Sequence, residues 1–579
     1  MSGAAYQFGT LSFTLEDGAL RHLRCDGREV VRQIAFLVRD RDWGTIAPSL
    51  GPVAEDRQPD RLRFTIPMRF ETGDGALAVT VTLDVSAGRL AMRAEGEVTG
   101  RFETNRAGFT VLHPIDHVAG AAARVTHSDG ALEQGAFPKL IDPWRPFMDI
   151  AGIAYRADRL DVSFAFSGDT FEMEDQRQWG DASFKTYNRS LDLEWPYRLA
   201  QGAYPAQEVV VAWEEATEAP ADTPARDDAL PEDARFPETA LVLTTAEAVA
   251  LTRHPQDLAL VAPQRILCHA DATAGPVEEA FAAFAALQRV CPEPSYDLEL
   301  ICAFVEEDPE PELRAHAAAY ETSGLAAASL FICPSVDRQS TPPGSDWPAC
   351  PPLARIHDAA ARAFTDLPRG GGMATLFTEL NRKRPPENGL AFVTHGLCPI
   401  VHAADDCSVM ETLEAIPHIT RSASAICAGR AYRIGPATLA MRHNPYGSRT
   451  IPNPEGGRVC MTDDDPRHRA AFGAAYVVGL ATQLARGGVS VWTPAELYGP
   501  RGILPDPGAT AEAYPLVSVL RALADVAGAP VHRAEIRGGI AELEVGTTRL
   551  RANLQTTAQD GLASHEVTLS QIVPTDQRR

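Results

Sequence analysis

Glu379 and Asn381 stand near the end of the stretch GGMATLFTELNRKRPP, residues 371–386, whose Met373, Ala374, Leu376 and Phe377 have the composition of a protein interior. Carboxylates, imidazoles and other polar groups close several comparable apolar runs. RILCHAD finishes at His269 and Asp271, DLELICAFVEE at Glu306 and Glu307, LAFVTHG at His395, and ATLAMRHN at Arg442, His443 and Asn444, while VSVWTPAELYG continues to Glu496. Such groups, gathered from different strands into surroundings that separate their pKa values, supply a general acid and a general base. Glu379 is the first candidate. Taken alone it reads equally well as a helix cap or as the partner of Arg382 or Lys383, so the recurrence carries more weight than any member.

The loop THGLCPIVHAADDCSVMETLEAI adds His402 and Asp405, whose His-x-x-Asp spacing at the end of a strand suits substrate contacts. Asp406 and Ser408, with Glu411 three residues beyond Ser408, have the pattern of helix capping and are assigned to structure. In TDDDPRHR, residues 462–469, Asp464 or Asp465 is expected to cap a helix that begins at Pro466. The histidines form neither H-E-x-x-H nor another recognised metal cage, so metal ligation by them stays an alternative reading; no G-x-S-x-G elbow is present, and no cofactor is indicated.

The elements that must position these groups fall into three regions. Residues 1–215 are alternating runs such as LRFTIPMRFE, LAVTVTLDV and LDVSFAFSG separated by Asp-Gly, Gly-Asp and Ala-Gly turns, the pattern of an antiparallel β-sandwich. Residues 216–238, rich in Pro, Ala and acids, read as a linker. Over 239–530 short apolar strands alternate with amphipathic helices, which predicts a (β/α)8 TIM-like barrel with its chemistry at the C-terminal ends of the strands. The eight strand candidates are RILCHAD, DLELICAFVEE, AASLFICPS, MATLFTELN, LAFVTHG, ASAICAG, ATLAMRHN and VSVWTP, with no legible helix between the sixth and seventh. Residues 531–579 return to strand-like runs and predict a small C-terminal β appendage. Within the first region, FEMEDQRQWGDASFKTYNRSL mixes acids with Trp179, Phe184 and Tyr187, and reads as an interdomain contact or, second, as a lip over the barrel mouth.

With 579 residues, 45% of them hydrophobic and 22% charged, the composition is that of a globular protein of several domains. No apolar run approaches the roughly 18 residues of a membrane helix, and the start MSGAAYQFGT lacks the basic and apolar regions of a secretory signal, so a cytoplasmic protein is expected. The 10 cysteines contain no C-x-x-C pair and read as reduced residues. A net charge of −24 disfavours nucleic acid and anionic substrates and leaves a small neutral polar molecule as the expected partner.

FEMEDQRQWGDASFKTYNRSL, RAGFTVLHP, LFTELNRKRP and FVTHGLCPIVHAADDCSVMETLEAI together resemble the D-apionate lactonase family of bacterial apiose catabolism. The resemblance covers nearly the whole chain and implies hydrolysis of D-apionolactone, a neutral sugar lactone, in the cytoplasm. Lactone hydrolysis needs a base for the attacking water, donors for the oxyanion and an acid for the departing ring oxygen. On that chemistry Glu379 is expected as base, His395 or His443 as acid or oxyanion donor, and Glu496 as alternative base. Arg442, Asn381 and Asn444 are expected to contact substrate oxygens, together with His402, Asp405 and Glu306. Two other readings stay open: a glycosidase pairing Glu379 with Glu496 or Glu306, and a sugar-binding protein with Trp492 or Tyr498 as stacking platform.

Overall fold

The computed structural model describes residues 3–41, 43–216, 230–447 and 449–572. Most of the expected linker, residues 217–229, lies outside the described residues. The chain divides into two compact units, Met1–Arg177 with Ala182–Asp228, and Gln178–Asp181 with Ala229–Arg579.

The first unit is a 17-stranded antiparallel sheet system around one hydrophobic core that runs from Leu11 to Trp213. Its strands arise where the sequence alternates. LRFTIPMRFE is the strand Leu62–Glu71, with Leu62, Phe64, Ile66, Met68 and Phe70 buried and the residues between them facing outward. Asp17-Gly18 and Asp26-Gly27 make two-residue hairpin turns with positive φ at all four residues, the geometry that matches the twist of paired strands and that Asp-Gly adopts at low steric cost.

In the second unit eight parallel strands close into a barrel. They are β1 (Glu238–Leu243), β2 (Arg265–Asp271), β3 (Ser295–Cys302), β4 (Ser329–Pro334), β5 (Arg369–Leu376), β6 (Phe392–Leu397), β7 (Ala431–Ala437) and β8 (Val489–Glu496). Two of the expected strands are placed elsewhere. ASAICAG lies mostly in the helix Ile416–Cys427, where Ile416, Ile419, Ala423, Ile426 and Cys427 are buried at helical spacing. ATLAMRHN begins only at the last residue of β7 and continues as loop. Their places are taken by ETALVL, which is β1, and by AYRIGPA, which is β7. AYRIGPA reads as broken because Gly435-Pro436 interrupts it. At Gly372 in β5, φ is +127° and a Cβ would stand 2.0 Å from the Thr394 carbonyl oxygen, so β5 approaches β6 closely only with glycine there.

The helix Ala471–Leu484 is buried along its whole length from Phe472. It packs against a four-stranded antiparallel sheet, Val531–Arg537, Ile540–Val545, Thr548–Asn553 and Val567–Gln571, which is the C-terminal β segment. No helix among the described residues is long and apolar enough to cross a membrane. No disulfide joins any of the 10 cysteines among the described residues.

Candidate active site

Strand parity decides which side chains reach the barrel interior. On β3, Asp297 and Glu299 line a small internal cavity of about 30 Å³ with Thr394 of β6, Arg433 of β7 and Thr493 of β8, room for about one water. Asp297 forms the lower layer, accepting from Ser329 Oγ at 2.5 Å and pairing with Arg265 at 3.1 Å and Arg433 at 3.3 Å. Two residues along the strand, Glu299 is 1% exposed. Its Oε1 stands 2.7 Å from His269 Nδ1 on β2 and accepts from Arg442 Nη2 at 2.5 Å.

Burial alone would raise the Glu299 pKa, but Arg442 and His269 outweigh it and hold the carboxyl well below the usual range. Burial works against the Arg442 charge in turn, and Glu299 more than offsets it. His443, next in sequence, has its ring centroid 6.3 Å from that of His269. Its Nε2 is buried without a hydrogen-bond partner, and burial and the Arg442 charge push its pKa well below the imidazole range. His443 is therefore held neutral. Around this group stand Asp271, paired with Arg338 at 2.6 Å, and Glu496, which accepts from Arg501 Nε at 2.9 Å. Glu247, on the helix Thr245–Leu251, has its pKa raised by burial and by Glu496.

Of the polar groups read from sequence, the fold thus brings His269, Arg442, His443 and Glu496 into one charged neighbourhood and adds Glu299, Arg338 and Glu247. Glu379 lies in the first turn of the helix Phe377–Arg382, where Oε2 accepts from the Leu376 backbone N–H at 3.1 Å. Burial raises its pKa, against the pull of Arg382. Asn381 is buried on the same helix and accepts from Arg384 at 3.0 Å.

His395 has the opposite parity to Phe392 and Thr394 and so leaves the interior for the helix layer. Its Nδ1 must donate to the Gly396 carbonyl at 2.8 Å, so Nε2 accepts from Tyr432 Oη at 2.8 Å. Asp405, expected to contact substrate, is the N-cap of the helix Asp406–Glu411, accepting from Ser408 N–H at 2.9 Å. Asp406, expected as a cap, pairs instead with Arg458 and Arg467 at 2.8 Å. Asp465 does cap the turn that begins at Pro466. Asn444 holds its own loop, donating to the Arg449 carbonyl at 2.9 Å and accepting from Tyr446 N–H at 2.9 Å. Glu306 is exposed beyond the end of β3.

His402 joins a second group. Its Nδ1 is 2.7 Å from Asp181 Oδ2, and its ring meets Trp179 edge-on at 5.5 Å. Trp179 also lies against Tyr446 at 5.3 Å and under the Arg382 guanidinium at 5.6 Å, while Thr378 Oγ1 donates to the Gln178 carbonyl at 2.9 Å. Residues 178–181 thus belong with the loops that follow β5, β6 and β7. One of these loops crosses to another: Ser340 N–H, after β4, donates to the Pro445 carbonyl, after β7, at 2.8 Å. Trp492 is fully buried with Nε1 donating to Thr239, and Tyr498 Oη donates to Asp257, so neither is an open stacking platform.

Cys302, Glu312 and His316 have potential metal-ligating atoms within 4.8 Å of one another. Glu312 already accepts from the Ala303 and Phe304 N–H groups at 2.7 Å each, which makes it a loop staple. Sequence reasoning passed over Glu299 because it sits inside the apolar run DLELIC rather than at its end. The available signal was parity: with Asp297 it puts two acids on one face of a buried strand.

Residues 239–528 match the family model of D-apionate lactonase, TIM barrel domain, and residues 2–216 that of its N-terminal domain. A D-apionate lactonase of Brucella anthropi is 40% identical over 535 residues, 90% of this chain and 87% of the relative. Among solved structures, a GH36 alpha-galactosidase from Geobacillus stearothermophilus is 9% identical over 95% of this chain and 91% of its own, with a TM-score of 0.26. A putative aldose 1-epimerase from Escherichia coli K12 is 11% identical over 37% and 99%, with a TM-score of 0.25. Scores this low bear on neither fold nor chemistry.

Proposed function

Because the chain belongs to the D-apionate lactonase family, we propose that this lactone-hydrolysing enzyme converts D-apionolactone to D-apionate at the C-terminal mouth of the barrel. The observation that carries this placement is the pair Arg442 and His443, adjacent in sequence and set beside the buried Glu299. A lactone carbonyl gains negative charge as water adds, and donors already oriented in a site poor in water stabilise that charge without reorganising. Arg442 is fixed by Glu299 and cannot be deprotonated in the working range. His443, kept neutral, has an unpaired Nε2 that, in the tautomer carrying hydrogen there, donates to the oxyanion or to the ring oxygen.

The net charge of −24 fits the same reaction, since it leaves a neutral lactone unhindered and repels the carboxylate product. His402 and the exposed Tyr446 offer polar and aromatic contacts for ring substituents. Glu379 accepts from the Leu376 N–H through Oε2 and Glu496 is bound to Arg501, so in this reading neither carboxylate is the base. A pH-stat assay over a small panel of aldonolactones and aryl glycosides tests the reading. Acid release from D-apionolactone above the other lactones is expected. Turnover of aryl glycosides with no lactone opening overturns it.

A further inference from the structure

We infer that His269, oriented by Glu299, is the general base that activates the attacking water, so that the reaction runs on an imidazole rather than on a carboxylate. This rests on the reading of the mouth as the lactone site. Nδ1 lies 2.7 Å from Glu299 Oε1, and Glu299 is held as the anion, so Nδ1 carries the hydrogen and Nε2 keeps its lone pair. Nε2 meets no hydrogen-bond partner among the described residues, and the side chain is 14% exposed, enough for water to reach it.

Arg442 is essential to the assignment. A buried carboxylate facing an imidazole alone would favour the imidazolium, which is useless as a base. Here Arg442 donates to the same oxygen at 2.5 Å, so the carboxylate that orients the ring already has a cationic partner. The other titratable groups near His269 are Asp271, itself paired with Arg338, and the neutral His443.

The step balances within the site. His269 Nε2 takes a proton from water as the oxygen bonds to the lactone carbonyl carbon, and Arg442 and His443 face the oxyanion. Collapse breaks the bond between that carbon and the ring oxygen, which takes the proton back from His269. The products are a hydroxyl and a carboxylic acid, which ionises to solvent. No co-reactant is needed. Glu299 touches neither water nor lactone and is a positioning residue.

The decisive measurement is His269→Ala in the full-length protein, assayed with and without added imidazole beside the wild type. The expected result is a fall in kcat of at least about a hundredfold at unchanged fold, partly restored by imidazole entering the vacated, solvent-reachable space. Retention of more than a tenth of the activity overturns the assignment, and so does a loss that imidazole does not restore. A wild type that opens no lactone overturns the site reading itself, whatever the variant does.

Glu299→Gln supplies a second readout. Removing the anion makes the neighbouring imidazole harder to protonate, so the acidic limb of kcat/KM against pH should move to lower pH. A lower kcat with an unmoved limb would assign Glu299 to structure alone. Should Glu299→Gln fail to fold, Glu299→Asp gives the same test through a lengthened bond to Nδ1.

Discussion

His443 shows how little of a residue's chemistry lies in its type. Next to Arg442 and largely buried, it is neutral and free at Nε2, whereas His395, four residues before another candidate loop, has both nitrogens committed to Gly396 and Tyr432. His443→Ala should therefore lower kcat by about 10²-fold, the usual loss for one oxyanion donor, with a smaller change in KM. Steady-state kinetics on D-apionolactone check this, and a raised KM with an unchanged kcat would point to ground-state binding. Glu299 makes a prediction about stability. Its folded pKa is depressed, so its contribution is present above the unfolded value, near 4, and is lost as pH falls toward the folded one. Glu299→Gln should destabilise the protein near neutrality by about 3 kcal/mol, because Arg442 is left buried and unpaired. It should also flatten the decline of stability on the acid side, measured by urea unfolding from pH 7 to pH 3.

At the scale of elements, the loops after β4, β5, β6 and β7 are tied together by few residues. Trp179 touches Tyr446, His402 and Arg382 at once and is 4% exposed. Trp179→Ala should cost about 3 kcal/mol by cavity formation, and should speed amide exchange over 442–447 and 398–404 more than over the barrel strands. Exchange that rises equally everywhere would mean that Trp179 serves the fold as a whole. The short helix Phe377–Arg382 depends on Glu379, whose carboxylate replaces a missing partner for the Leu376 N–H. This is the capping alternative already visible in the sequence, and it explains why a carboxylate follows a buried strand.

For the whole molecule, the histidines buried in a neutral state matter together. Burial lowers the pKa of His113 to about 3 and those of His357, His395 and His468 to about 4, in strands, a helix and a turn spread over the chain. Their unfolded forms take up protons near 6.5 while the folded forms do not, so stability falls as pH drops from about 6.5 toward 4. Thermal melts between pH 7 and pH 4.5 should show this decline, and His395→Gln should reduce its slope. The C-terminal sheet has an equally concrete task. The helix Ala471–Leu484 is buried all round, with Phe472 against His565 and Gly479 facing Leu413 and Leu554. Removing residues 531–579 should uncover its apolar side and drive aggregation, visible by gel filtration and dye binding. A monodisperse, active truncated protein would show that the sheet is dispensable.

Alternation, Asp-Gly turns and the strand and helix rhythm were enough to read the antiparallel domain, the barrel and the terminal β segment from sequence, because burial of one face imposes a period on the chain. The same rule misplaced two strands. ASAICAG is apolar enough for a strand, yet its burial follows the helical period, and AYRIGPA hides behind Gly435-Pro436. Glu496 was legible as the polar end of a strand, and Arg442 and His443 as polar residues closing an apolar run, although that run is loop beyond β7. Glu299 was not, because a carboxylate inside an apolar run gains meaning only from what faces it across the barrel. Its partners His269 and Arg442 lie 30 and 143 residues away in sequence, and only closure of the sheet brings them within hydrogen-bonding distance. Local sequence sets which way each strand turns its faces, but the charge of a buried group depends on neighbours that tertiary structure alone assembles.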